Sequence, residues 1–418
     1  MPADTGPAAK KLHEALTALQ SNQPDAARAA GEEALEGFSM ANDRTGAAAA
    51  HQLLAMLRVQ AGDLDGALAH IDAAAPLREA TGDWEGLAAL HQERFEVYVR
   101  RGDLDGAKEA AEGQLAAQKK AGHKEGIAHA CHQLAQVLLQ QGDDKAAESL
   151  VQDALWTVTG PGTERAQSAL CLLYATINTS RGDHDRAVVR ARQALELARQ
   201  AKNKGAEVDA LQHLGAILAA KGETRLARRT LEEALVGREL MKDVEGRASV
   251  LRELAGVELQ LGENDEAFAH LHYAVKSLRE AGNWIGEVTM LQVVQAAADE
   301  YGRPELALSA AHATVEAAAR TGDREAEAAA HFTLATRLAG AGMLENALEH
   351  FEKARDIQLG LGLGHEAAVA GGMIGQVQVA MGRRDDGIAN IKGSLAQLDA
   401  IGSEAAETLR EILGELES

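Results

Sequence analysis

Two aspartates one residue apart and followed by glycine raise the question of metal chemistry in this 418-residue chain. Residues 62–67 read GDLDGA, and residues 102–107 read the same. A calcium loop of the helix–loop–helix type needs oxygen ligands at loop positions 1, 3 and 5, glycine at 6 and a bidentate glutamate at 12. With Gly66 at position 6, Asp63 and Asp65 fall at 3 and 5, but position 1 is Ala61, and in the second copy it is Arg101. Position 12 would be Asp72 in one copy and Glu112 in the other. A cation where an anion is needed argues against calcium. The other reading is the turn of something repeated.

The remaining reactive residues form no known constellation. HACH supplies His129, Cys131 and His132 without a fourth zinc ligand nearby, so packing or surface histidines are expected there. GLGLGH (360–365) has glycines but no preceding strand, and no P-loop, H-E-x-x-H, G-x-S-x-G or paired-cysteine motif occurs. NTS (178–180) sits within a helical pattern of a chain whose N-terminus shows no secretory signal. The expectation is a protein without catalytic residues, metal or cofactor, and not an enzyme.

What must position these residues is helical. Aromatics are 3% of the chain, hydrophobic residues 46%, and proline occurs six times, which suits long helices packed through small side chains. No run of 18 apolar residues predicts membrane insertion. Two cysteines fit a reducing cytosol, and a formal charge of −21 argues against nucleic acid as a partner.

Glycine supplies a ruler. Gly62, Gly102, Gly142, Gly182, Gly222, Gly262, Gly302, Gly342 and Gly382 are evenly spaced by 40 residues, with Asn22 one step earlier. Halfway between run Gly82, Gly122, Gly162, Gly282, Gly322, Gly362 and Gly402, with Asn42, Lys202 and Lys242 in the gaps. Each interval carries a helical apolar period, as at 50, 53, 54 and 57. Glycine then closes one helix in the left-handed conformation. Asp63 and Asp103 cap the next, and Asp65 and Asp105 lie in its first turn. Copies such as GDHDRA (182–187) and GRPELA (302–307) keep a turn but would lose a metal.

Small residues mark close helix approaches. Ala55, Ala135, Ala175, Gly215, Ala255, Ala335 and Gly375 share one register position; Ala67 through Ala347 share a second, and Ala74, Ala154, Ala194, Ala234, Ala274 and Ala354 a third. With GDWEGLAALHQERFEVYVRRGDLDGA (82–107) and GAEVDALQHLGAILAAKGETRLA (205–227), this pattern resembles the tetratricopeptide repeat. More narrowly, it resembles the 40-residue variant of Pins-type cell-polarity adaptors. The resemblance implies an all-α, right-handed α-solenoid of about ten helix–turn–helix repeats: a disordered 1–8, an array over 9–402, and a capping helix over 403–418. TVTGPGTERA (157–166), with Pro161 between glycines, predicts a local change of curvature, or else a hinge.

In that family the first helix of each repeat lines a concave groove. Taking Ala55 and its equivalents as position 8, groove position 5 falls on Gln52, Gln92, His132, Gln212, Arg252 and Gln292, and position 13 on Gln60, Arg100, Gln140 and Gln260. Glutamine offers donors and an acceptor together, suited to an extended peptide backbone; a merely solvated groove is the other reading. The asparagine ladder of the Pins-type adaptors is absent, so their ligand class is not carried over. Phe332, Leu334, Gly371, Gly372 and Met373 suggest an apolar anchor pocket or a thinner wall. His51, His91, Cys131, Cys171 and His331 share a packing position. The basic run from Arg181 to Arg229 reads as a solvated face or a second contact.

The resulting expectation is a cytoplasmic, bacterial scaffold or adaptor that holds a peptide or partner protein and is compatible with self-association. The alternative is a ligand-responsive sensor of a small signalling peptide.

Overall fold

A computed structural model describes residues 6–417, and every element in it is a helix. The chain divides into two compact units, residues 1–230 and 231–418. The first holds α1 (Pro7–Gln20), α2 (Pro24–Met40), α3 (Arg44–Gln60), α4 (Leu64–Thr81), α5 (Trp84–Arg101), α6 (Leu104–Ala121), α7 (Lys124–Gln140), α8 (Asp144–Thr157), α9 (Glu164–Ser180), α10 (His184–Gln200), α11 (Lys204–Ala220) and the start of α12 (Thr224–Met241). The second holds the rest of α12, then α13 (Val244–Leu261), α14 (Asn264–Glu280), α15 (Trp284–Glu300), α16 (Pro304–Thr321), α17 (Arg324–Gly340), α18 (Leu344–Gly360), α19 (Gly364–Ala380), α20 (Arg384–Ala400) and α21 (Ala405–Glu417). Within each unit successive helices pack on one another, which is the organisation of a solenoid. Helix α1 starts at Pro7, ahead of the expected array start at residue 9, and residues 1–5 lie outside the described residues. No helix among the described residues is long and apolar enough to cross a membrane.

The turn chemistry is the one the ruler implies. The glycines of both series have positive φ, and the residues filling their gaps, Asn22, Asn42, Lys202 and Lys242, do too, at 54–56°. In the GDLDGA turns, Asp63 Oδ1 accepts the Gly66 N–H at 2.9 Å and Asp103 Oδ1 accepts that of Gly106 at 2.9 Å. The second aspartates reach the following repeat: Asp65 accepts from the Arg101 guanidinium and Asp105 from Gln141 Nε2. Both aspartates of each motif therefore serve helix ends and repeat joints.

Close packing follows the alanine registers. Ala67, Ala107, Ala147, Ala187, Ala227, Ala267, Ala307 and Ala347 are all fully buried, where any larger side chain would separate the helices. Helix α8 stops at Thr157, ahead of the usual register, because Pro161 cannot continue it and Gly160 adopts φ 107°. The following helix regains register at Glu164, and α9 packs against α7 and α11 as well as α8 and α10.

Candidate functional site

A recess in the first unit that gathers several polar side chains lies where α7 and α9 meet α5 and α6. It is a cavity of about 460 Å³ lined by Gln92 of α5, Gln114 and Gln118 of α6, His129 and His132 of α7, and Arg165, Ala169 and Leu173 of α9. His123, Glu125, Gly126, Ala128 and Ala166 complete the wall. The short α8 is tied to the start of α7, with Lys124 Nζ donating to the Thr157 carbonyl at 2.6 Å.

Two glutamines on α6 stand out. Gln114 occupies the register of Ala74, Ala154 and Ala194, yet it is 1% exposed. Its Nε2 donates to Gln92 Oε1 at 3.4 Å and contacts His129 Nδ1 at 3.5 Å, both at the outer limit of hydrogen bonding. Its Oε1 is buried and has no partner. Gln118 stands in the register of Arg78 and Arg238, which bond the capping carboxylates of Asp83 and Asp243. Here the cap is His123, whose Nδ1 accepts the Gly126 N–H at 3.1 Å, and Gln118 Oε1 is left buried without a partner. Gly126 makes room for it, since a Cβ there would sit 2.2 Å from Gln118 Oε1. Burial, with His129 and His213 nearby, pushes the His132 imidazole below its ordinary value, so it is neutral at pH 7.

The expected groove residues disperse. Gln92 and His132 line this cavity. Gln52 is spent internally, accepting from Arg78 Nη2 at 2.6 Å and donating to Glu93 Oε1 at 2.5 Å. Gln212 is half-buried on α11, while Gln60, Arg100 and Gln140 are exposed at the ends of α3, α5 and α7. In the second unit Arg252 and Gln260 are exposed on α13, and Gln292 lines a separate cavity of about 110 Å³ with Gln295 and Thr314. That cavity has the register of the first, five repeats on, but its buried polar groups, Gln295 and Thr314, are satisfied. Gln295 Nε2 donates to Thr314 Oγ1 at 2.8 Å, Thr314 donates to the Ala310 carbonyl, and Arg337 donates to Gln295 Oε1.

Other features resolve as packing. Leu334 is fully buried, and Phe332 meets Phe351 edge to face at 5.2 Å. Gly371 and Gly372 give way to Ser394 and Leu409, so the apolar stretch there is core and not an anchor pocket. Cys131 and Cys171 are buried free thiols, the first pushed up to about 12 by burial. His51 pairs with His70 and His331 with His350 through Nδ1 contacts of 3.0 and 2.7 Å. In the basic run Arg181 pairs with Glu148, Arg199 with Glu207, and Arg190 lies over the Tyr174 ring. A cavity of about 500 Å³ between α14 and α16 is largely apolar, and its Lys276 and Arg279 already pair with Glu280 and Glu287.

Gln114, Gln118 and His129 were legible as departures from the register only once the cavity had shown which departures matter. The signal was the gap at 114 in the alanine series.

No family model matches the sequence, and no curated protein matches it. Solved structures do. The apo form of RapI is 13% identical with a TM-score of 0.53, covering 85% of this chain and 99% of its own. The apo form of the quorum sensor NprR from B. thuringiensis is 13% identical with a TM-score of 0.50, covering 74% and 87%. A signal-transduction ATPase with a tetratricopeptide repeat sensor from Pyrococcus horikoshii is 16% identical with a TM-score of 0.52, and the match covers 66% of this chain but only 43% of that one. At these identities the likeness establishes the fold, a tetratricopeptide-type helical repeat.

Proposed function

We propose that this chain is a non-enzymatic peptide-binding repeat protein, and that it holds an extended segment of a ligand or partner across the cavity of α5, α6, α7 and α9. The observation that carries the reading is the buried, incompletely bonded Gln114 beside Gln92 and His132, because a native interior satisfies nearly all its polar groups. A group left unpaired beside an open cavity of about 460 Å³ is explained by a ligand that completes it. The likeness in fold to a quorum sensor and to a repeat sensor supports the sensing form of this reading over a passive scaffold.

The test is a phage-displayed peptide library panned on the full chain, followed by two variants. Gln92→Ala with His132→Ala should weaken selected peptides tenfold or more with helicity unchanged. Gln60→Ala with Gln140→Ala, at exposed helix ends, should change affinity less than twofold. Affinity unaffected by the first pair would remove the site from the cavity. A smaller hydrodynamic radius on adding the selected peptide would favour the sensor, an unchanged one the scaffold.

A further inference from the structure

Gln114 offers a more specific reading, which rests on the peptide-binding function proposed above. Its two N–H groups are directed at Gln92 Oε1 and His129 Nδ1, so its carbonyl Oε1 is the unused group. Gln92, whose carbonyl takes that contact, keeps its own Nε2 for the cavity, and no hydrogen bond from it occurs among the described residues. The adjacent Gln114 and Gln92 amides thus present one buried acceptor and one donor, and Gln118 Oε1, also unpaired in the lining, is a second buried acceptor. Exchanging O and N in both amides reverses the roles but leaves the same pair of one donor and one acceptor.

We infer that the cavity selects a peptide carrying a primary carboxamide side chain, glutamine or asparagine. Such a group brings an N–H for one amide and a C=O for the other on two separate atoms at the tip of a slender chain, where a serine or threonine hydroxyl must donate and accept through a single oxygen. A carboxylate brings acceptors alone and would set an anion against an unpaired carbonyl. A lysine brings donors alone and would leave the Gln92 amide unpaired. A backbone amide, flanked by two Cα atoms, cannot follow Gln114 into a recess where that residue is 1% exposed. Methionine matches glutamine in shape but leaves both amides unpaired, and sites built on hydrogen bonds reject such analogues strongly. Arg165 and Glu125, of opposite charge at the wall, give the cavity no net preference for a charged side chain and are placed to meet flanking residues of either sign.

The experiment uses the full chain and a positional-scanning library of hexapeptides, acetylated at one end and capped as the N-methylamide at the other, so that no cap supplies a primary carboxamide. At one position, pools fixed as Gln or Asn should bind at least tenfold tighter than pools fixed as Glu, Asp, Lys or Met. That preference should vanish in Gln114→Ala, a variant that restores the alanine of neighbouring repeats, and in Gln92→Ala. Binding of pools without amide preference, or a preference for Glu, overturns the inference while leaving the peptide-binding reading intact. Binding of no pool overturns both. A preference for Gln that survives Gln114→Ala also overturns the inference, by placing the amide elsewhere.

Discussion

Replacing Gln114 with alanine should stabilise the protein while it abolishes ligand selection, and the sign can be worked from the structure. A buried carbonyl without a partner costs about 1–3 kcal/mol, which the substitution recovers. Freeing the glutamine side chain from its fixed position returns about 1 kcal/mol of conformational entropy. Against this stand two N–H contacts of 3.4 and 3.5 Å, together about 1 kcal/mol at such lengths, and one methylene, Cγ, at about 0.8 kcal/mol if fully buried. Water can enter the enlarged cavity from its open side, so little of a dry void's penalty applies. The net is about 1 kcal/mol in favour of alanine. Urea denaturation measures it as a higher midpoint at unchanged slope. The reciprocal control is Ala194→Gln, in the same register and fully buried, with its carbonyl accepting the Ser168 hydroxyl. It should cost about 2 kcal/mol or more. A loss of stability of about 1 kcal/mol or more in Gln114→Ala would mean the amide is already satisfied by the fold. Its assignment to a ligand would then fail.

Two further outcomes concern the frame. His331 is held neutral by burial and by its Nδ1 contact with His350, its pKa pushed down to about 4. Because the unfolded chain takes this proton near pH 6.5, stability is complete above that pH and falls between 6.5 and 4, by about 2 kcal/mol. Urea midpoints at pH 7 and 4.5 should differ less in His331→Leu than in the unsubstituted chain, and equal differences would refute the assignment. Separately, Lys202 holds φ at 54° where most repeats have glycine, so Lys202→Gly should raise stability by about 0.5–1 kcal/mol in a thermal melt. A fall would show that the lysine side chain contributes more than its backbone strain costs.

The frame was legible because a solenoid writes the same local instruction many times. The spacing of Gly62 and its equivalents gave the turns, and even Lys202 and Lys242, poor left-handed residues, were placed there correctly by register alone. The alanine series likewise located the tight contacts, all fully buried in the Ala67 register. Groove positions were less legible, because register equivalence does not fix what a side chain meets. Gln52 and Gln92 are equivalent, but Arg78 reaches Gln52, and the residue one repeat after Arg78 is the neutral Gln118. One glutamine is consumed in the fold, and the other is left facing a cavity.

Gaps in a repeat register carry information that its consensus does not, though a gap by itself is not a site. The Ala74 register is broken by Gln114, Thr314 and Ser394, all buried, and the three are resolved differently. Thr314 is completed by Gln295 and the Ala310 carbonyl, which leaves only a small cavity. Ser394 fills the space vacated by the missing side chain of Gly371. Gln114 has neither remedy: Phe95 stands where Gln295 stands five repeats later, and an aromatic ring has no amide to offer. What separates a binding group from a structural one here is whether the residue across the helix interface closes its hydrogen bonds. At Gln114 nothing in the fold does, and that is the physical ground for looking to a ligand.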